Sequence, residues 1–236
     1  MNVLAIAAQA YGEIGLPQPT QVVGGNNSDG AQILALLNRE GTELAQIEAA
    51  WPQLRGEQLI TLVPGQQAYA FPSDLLYYRA STAWDRSTHW RLVGPLSARE
   101  WQAIRSGIAV AAPQLRFRLY GGQLQFDPVP TSADTIAFEY ISKNWCQSAS
   151  GTPQSTFMAD TDLPVIPDDL FVLGLKWRTL AARGFNYGEE KQAYFEARDR
   201  MIAQGQDNDV LLLGRQAPRI GGIGFPQVPD GNWPGR

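Results

Sequence analysis

Twice along these 236 residues the spacing of apolar side chains changes, and each change marks a boundary between two kinds of backbone. Up to about Ala50 the spacing is helical, from Leu59 to Trp145 it alternates, and from Leu170 it is helical again. A helix repeats its buried face every third or fourth residue and a strand every second, so no single element accommodates both patterns. The order therefore constrains the fold to two helices, a β-rich insertion and two further helices. No internal repeat is present to suggest a solenoid.

Val3, Ile6, Ala7, Ala10, Tyr11 and Ile14 predict a helix over residues 2–15, stopped by Gly15 and Pro17. Ser28 or Asp29 is placed to cap a second helix, whose stripe is Ile33, Leu34, Leu37, Leu44 and Ile47. Gly41 is expected to weaken that helix near its middle. In the insertion, LITLVPGQQAYAFP reads as two short strands joined at Pro64-Gly65, with LLYYRASTAWD and HWRLVGP joined through residues 85–88. RFRLYGGQLQFD is the clearest hairpin, turning at Gly121-Gly122, and TIAFEYISKNW supplies a further strand. A short helix over 97–107 interrupts them, opened by a capping box of Ser97 and Glu100.

Residues 148–162 form a polar connection. Pro167 then starts the third long helix, with Asp168 and Asp169 at its positive dipole end and Leu170, Leu173, Gly174, Trp177 and Ala181 on the buried face. Gly184 ends it, and Tyr187, Tyr194, Phe195, Met201 and Ile202 mark the last helix. The expected class is α+β: a four-helix assembly, two N-terminal and two C-terminal, with a central β-rich insertion and an extended C-terminal tail. The expected boundaries are a discontinuous helical domain at 1–56 and 148–205, the insertion at 57–147, and the tail at 206–236.

The tail ends in GRQAPRIGGIGFPQVPDGNWPGR, rich in Gly and Pro yet carrying Ile220, Ile223, Phe225, Val228 and Trp233. Solvated linkers are poor in large apolar groups, so this composition fits a segment that orders when laid against another surface. That points to assembly rather than chemistry.

The search for a reactive centre supports the same direction. His89 is the one histidine, and it sits on a predicted strand beside Trp90, where a surface or packing role is expected. Cys146 is the one cysteine, which excludes an intrachain disulfide and an all-cysteine metal site. The pairs Asp168-Asp169 and Glu189-Glu190 read as helix-dipole partners, and Asp160 and Asp162 as turn formers, rather than as the paired carboxylates of a glycosidase. Gly221-Gly222-Ile223-Gly224 lacks the preceding strand and following helix that a nucleotide-binding loop needs. No catalytic, cofactor-binding or metal-binding residue is expected, and the chain is expected not to be an enzyme.

With a net charge of −4, global attraction to nucleic acid is not expected. Locally, however, Arg79, Arg86, Arg91, Arg99, Arg105, Arg116 and Arg118 cluster in the insertion among aromatic residues. A sheet with arginines outside and aromatics inside accounts for the alternation in RFRLY, and a DNA-binding surface is the alternative. The start of the chain lacks the basic residues of a secretory signal, and no apolar run approaches the roughly 20 residues that cross a bilayer. A soluble protein made in the cytoplasm, with no membrane partner, is expected.

Several phrases carry a resemblance: AYGEIGLPQP near the start, GQQAYAFPSDLLYYR, YGGQLQFDPVPTSADTIAFEYISKNW, and LPVIPDDLFVLGLKWRTLAARGFNYGEEKQAYFEARDRMIA. Together with the order of elements they resemble a head-to-tail adaptor of tailed bacteriophages, of the tail tubular or tail accessory type. The resemblance implies a homo-oligomeric ring, dodecameric in relatives, at the head-to-tail junction of the virion. The ring sits beneath the portal protein, joins it to a downstream tail or nozzle protein, and surrounds transient genomic DNA in its channel. It further implies that the tail grips the portal, with Arg215, Arg219, Ile220, Ile223, Phe225 and Trp233 as the contacts. Alternatives from other classes are a cell-wall carbohydrate-active or binding module and a non-specific DNA-binding protein.

Overall fold

A computed structural model of the chain describes residues 1–25, 28–47, 51–107 and 114–205. They form an α+β fold with five α-helices and several antiparallel sheets among the described residues. Helix α1 (Val3–Glu13) starts where the Asn2 side chain accepts the Ala5 N–H at 2.8 Å. It ends at Gly15, whose φ of 71° lets Leu16 donate back to the Tyr11 carbonyl at 2.9 Å. Helix α2 (Ser28–Ala45) follows, then a single 3₁₀ turn at Pro52–Leu54.

The long strand β1 (Arg55–Thr61) does not pair with its successor. Strand β2 (Ala68–Ala70) belongs to a different sheet, so the expected hairpin at Pro64-Gly65 is not formed. Gly65, at φ 86°, does make a turn, closed by Gln66 N–H donating to the Val63 carbonyl at 3.0 Å. That turn carries the chain from one sheet to the other. Strands β3 (Leu75–Tyr78), β4 (Trp84–Asp85) and β5 (Trp90–Arg91) come next, and β4 pairs with β5 as expected. Helix α3 (Ala98–Arg105) carries the expected capping box: Ser97 Oγ accepts the Glu100 N–H, and the Glu100 carboxylate accepts the Ser97 N–H.

Strands β6 (Arg116–Tyr120) and β7 (Gln123–Asp127) form the hairpin read from the sequence, with Tyr120 opposite Gln123 and both turn glycines at positive φ. Strand β8 (Thr135–Ser142) is the spine of the larger sheet. It pairs along its length with β1 on one side and with β3 and β4 on the other. Ile136 and Phe138 enter the core of the β-rich part, whereas Ile141, on the opposite face, joins the helical core.

The stretch read as a polar connection contributes one short strand and pairs, through its two flanks, into a small sheet. Strands β9 (Cys146–Gln147), β10 (Pro153–Gln154) and β11 (Leu163–Pro164) make a small sheet with β9 in the middle. Its two aspartates hold distant backbone. Asp160 Oδ1 accepts the N–H groups of Val22 and Val23 at 3.1 and 2.8 Å, and the Asp160 and Asp162 carbonyls accept from Leu4 and Val3. Asp160→Ala is expected to cost about 1–2 kcal/mol and to speed amide exchange at Val22 and Val23. Unchanged protection at those two amides would show that the carboxylate does not order the loop.

Helix α4 (Asp168–Ala182) is the hub of the helical part. Its first turn carries Asp168 and Asp169, and Pro167 precedes it as the N-cap. Helices α1, α2 and α5 (Gly188–Gly205) all pack against it. The single expected face is therefore too narrow: Leu170, Phe171, Val172, Gly174, Leu175, Arg178 and Thr179 are buried, while Leu173, Trp177 and Ala181 are half-buried. Three neighbours around one helix leave little of its circumference for water.

Candidate functional site

Two features of the helical part are charged, although the surrounding sequence is apolar. Glu40 lies on the buried stripe of α2, between Leu37 and Leu44, and is completely buried. Its carboxylate sits over Gly174 of α4, where a Cβ would come within 2.5 Å of it. Arg178, one turn further along α4 and 6% exposed, donates to Glu40 Oε2 at 2.7 Å and to Glu43 at 2.6 Å.

The Tyr194 phenol of α5 neighbours the same carboxylate. Burial pushes the Glu40 carboxyl up against the pull of Arg178. Burial would lower the Arg178 guanidinium, but the two carboxylates outweigh it and hold it further up. Burial, then the Glu40 charge, push the Tyr194 phenol up.

Glu43, Arg178 and Tyr194 of this cluster line a groove of about 400 Å³ between α2, α4 and α5. Ile47, Trp177 and Phe195 give it an apolar floor, and Arg39, Lys191 and Arg198 stand along it. The Lys191 ammonium lies over three rings, 5.6 Å from Trp177, 5.9 Å from Tyr187 and 6.0 Å from Phe195. Arg198 covers Phe195 at 4.5 Å. The arrangement suits contact with an acidic, partly apolar surface.

The β-rich part has a cavity of about 390 Å³, lined by Leu62, Asp85, Trp90, Arg91, Leu115 and Asp134 among others. His89 does not lie on a strand. It occupies the exposed turn between β4 and β5 with φ 61°.

Four of the seven clustered arginines meet carboxylates drawn in from other strands. Glu57 and Glu139 stand directly opposite each other on β1 and β8, an unfavourable pairing by itself. Arg86 bonds Glu57 at 2.5 Å and Arg79 bonds Glu139 at 2.6 Å, which compensates it. Arg116 and Arg105 both approach Asp127, at 3.0 and 3.8 Å. Arg118 bonds Gln125 and lies between the rings of Trp101 and Tyr120, 4.3 and 4.4 Å away. Arg91 and Arg99 are exposed. The local excess of positive charge seen in the sequence is thus smaller in space.

Cys146 is fully buried, its thiol donates to the Gln154 carbonyl at 3.2 Å, and burial followed by the nearby Asp162 pushes its pKa up to about 12. A thiolate is correspondingly scarce near neutral pH. Two of the candidate carboxylates are engaged in structure: Asp168 pairs with the Met1 amine, and Asp162 Oδ2 accepts the N–H groups of Met158 and Ala159 at 2.7 and 2.9 Å. The proposed portal contacts Arg215, Arg219, Ile220, Ile223, Phe225 and Trp233 lie outside the described residues.

Sequence reasoning missed Glu40 and Arg178. The available signal was position: Glu40 follows Leu37 by three and precedes Leu44 by four, which places it within the apolar stripe.

Among the described residues no helix is long and apolar enough to cross a membrane. A search of curated proteins finds no match to the chain. A family described as SU10 adaptor protein matches residues 1–219, nearly the whole length. With an α+β fold of helices around a β-rich insertion and surfaces suited to protein contact, the chain belongs to the SU10 adaptor protein family and is a structural adaptor of a bacteriophage virion.

Proposed function

We propose that the protein forms a homo-oligomeric ring that mounts beneath the portal and joins it to a downstream tail component around the DNA channel. It does so without catalysis. The observation that carries this reading is the adaptor family match over residues 1–219, joined to a tail whose apolar groups sit on a Gly/Pro-rich chain. Many copies of a modest contact then make a stable ring-on-ring assembly, because each docked tail raises the effective concentration of the next. Arg215, Arg219, Ile220, Ile223, Phe225 and Trp233 are the proposed portal contacts.

The test is deletion of residues 206–236. Portal co-sedimentation is expected to disappear while the far-ultraviolet circular dichroism of the helices is retained. Undiminished portal binding by the truncated chain would reject the tail as the docking element.

A further inference from the structure

We propose that the groove between α2 and α5 receives residues 207–213 of a second copy of this chain. The inference rests on the ring reading above. The groove offers Arg39, Arg178, Lys191 and Arg198 against Glu43 alone among its charged lining residues. Arg39 is bonded to Glu43, the buried Arg178 to Glu40 and Glu43, and Arg198 to Asp199, which leaves a small cationic excess, with Lys191 on the rim, over an apolar floor. The complementary ligand carries carboxylates followed by aliphatic side chains.

Residues 207–213 read Asp-Asn-Asp-Val-Leu-Leu-Leu, two acids and then four aliphatic residues in succession. Fully extended, seven residues span about 23 Å. The run of α5 from Lys191 to Arg198 covers about 10 Å, so the segment spans the groove with length to spare. Asp207 and Asp209 then meet the rim cations while Val210 to Leu213 cover the rings. A phosphate backbone would satisfy the same cations but leave the apolar floor uncovered, so the acidic–aliphatic peptide is the better fit. The portal contacts proposed above begin at Arg215, so one tail can cross its neighbour and still reach the portal.

The experiment places Gln46→Cys, on the exposed rim of the groove, together with Leu211→Cys in virions grown with the double variant. The resident Cys146 is buried, with its thiol near 12, and contributes little to exchange. Non-reducing gels are expected to show a ladder of linked copies that collapses on reduction and is absent from either single variant. Adding Asp207→Lys and Asp209→Lys is expected to reduce the ladder about tenfold or more, because like charges then face each other. A band of monomer mass alone, with or without an internal bond, overturns the inference. So does a ladder indifferent to the charge reversal. Presence of the protein in the reducing lane reports separately on the virion-adaptor reading, so failure of one is distinguishable from failure of the other.

Discussion

Arg178→Met is expected to lower unfolding stability by about 3–5 kcal/mol at neutral pH, because it leaves the Glu40 carboxylate buried without its cation. Glu40 is fully buried and Arg178 bonds it at 2.7 Å, so water cannot readily take over the lost contact. The sign of the pH dependence follows from the direction of the Glu40 shift. Its folded-state value is raised above the ordinary 4.5, so the folded chain holds a proton that the unfolded chain releases.

Stability from this group is therefore fully present below 4.5 and is lost as pH rises through the raised folded value. Removing Arg178 takes away the charge that opposed the rise. The deficit of the variant should consequently shrink as pH falls from neutral towards 4.5. Urea midpoints measured across that interval check it, and a deficit that is constant or grows on acidification would contradict the buried-charge account. Adding Glu40→Gln to the variant should recover most of the loss at neutral pH, since the ion is then gone from both sides.

Gly41→Ala is the second large effect, and here two physical arguments predict opposite signs. Helix propensity alone favours alanine by about 1 kcal/mol at an interior helical position. Packing disagrees: a Cβ at Gly41 would lie 2.4 Å from the Trp145 ring. That ring is 1% exposed, stacks on Phe171 at 5.7 Å and meets Phe157 edge-on at 4.8 Å, so it has nowhere to retreat. Overpacking of this kind costs about 1–3 kcal/mol, and a net loss is expected. Near-ultraviolet circular dichroism of the tryptophans and the denaturation midpoint decide between them. A stabilised variant would show that the contact between α2 and Trp145 is looser than its geometry.

Gly41 illustrates what could be read from the sequence and what could not. Its cost to α2 was visible in the one-dimensional chain, but its purpose was not, because Trp145 arrives from more than a hundred residues away. Features set by near neighbours were legible: the β6–β7 hairpin with its two glycines, the Ser97–Glu100 box, and the acidic start of α4. Features set by distant partners were not. The strands around Pro64-Gly65 have alternating residues whichever partner they choose, and β8 and β7 claimed them separately.

The same reason explains the arginines. Counting charges between residues 79 and 118 left out Glu57, Asp127 and Glu139, which neighbouring strands bring to them. For the portal contacts, the sequence offered composition and a family resemblance, and they are a proposal that the deletion experiment tests.

Strand β8 has a mechanical consequence. Ile136 and Phe138 anchor it in one core and Ile141 in the other, while β1, β3 and β4 clamp its flanks with hydrogen bonds. A load applied to the β-rich part along this direction reaches the helices through a continuous covalent backbone. The flanking bonds then bear it together in shear rather than opening one after another. A part built this way resists stretching far better than two lobes that merely touch.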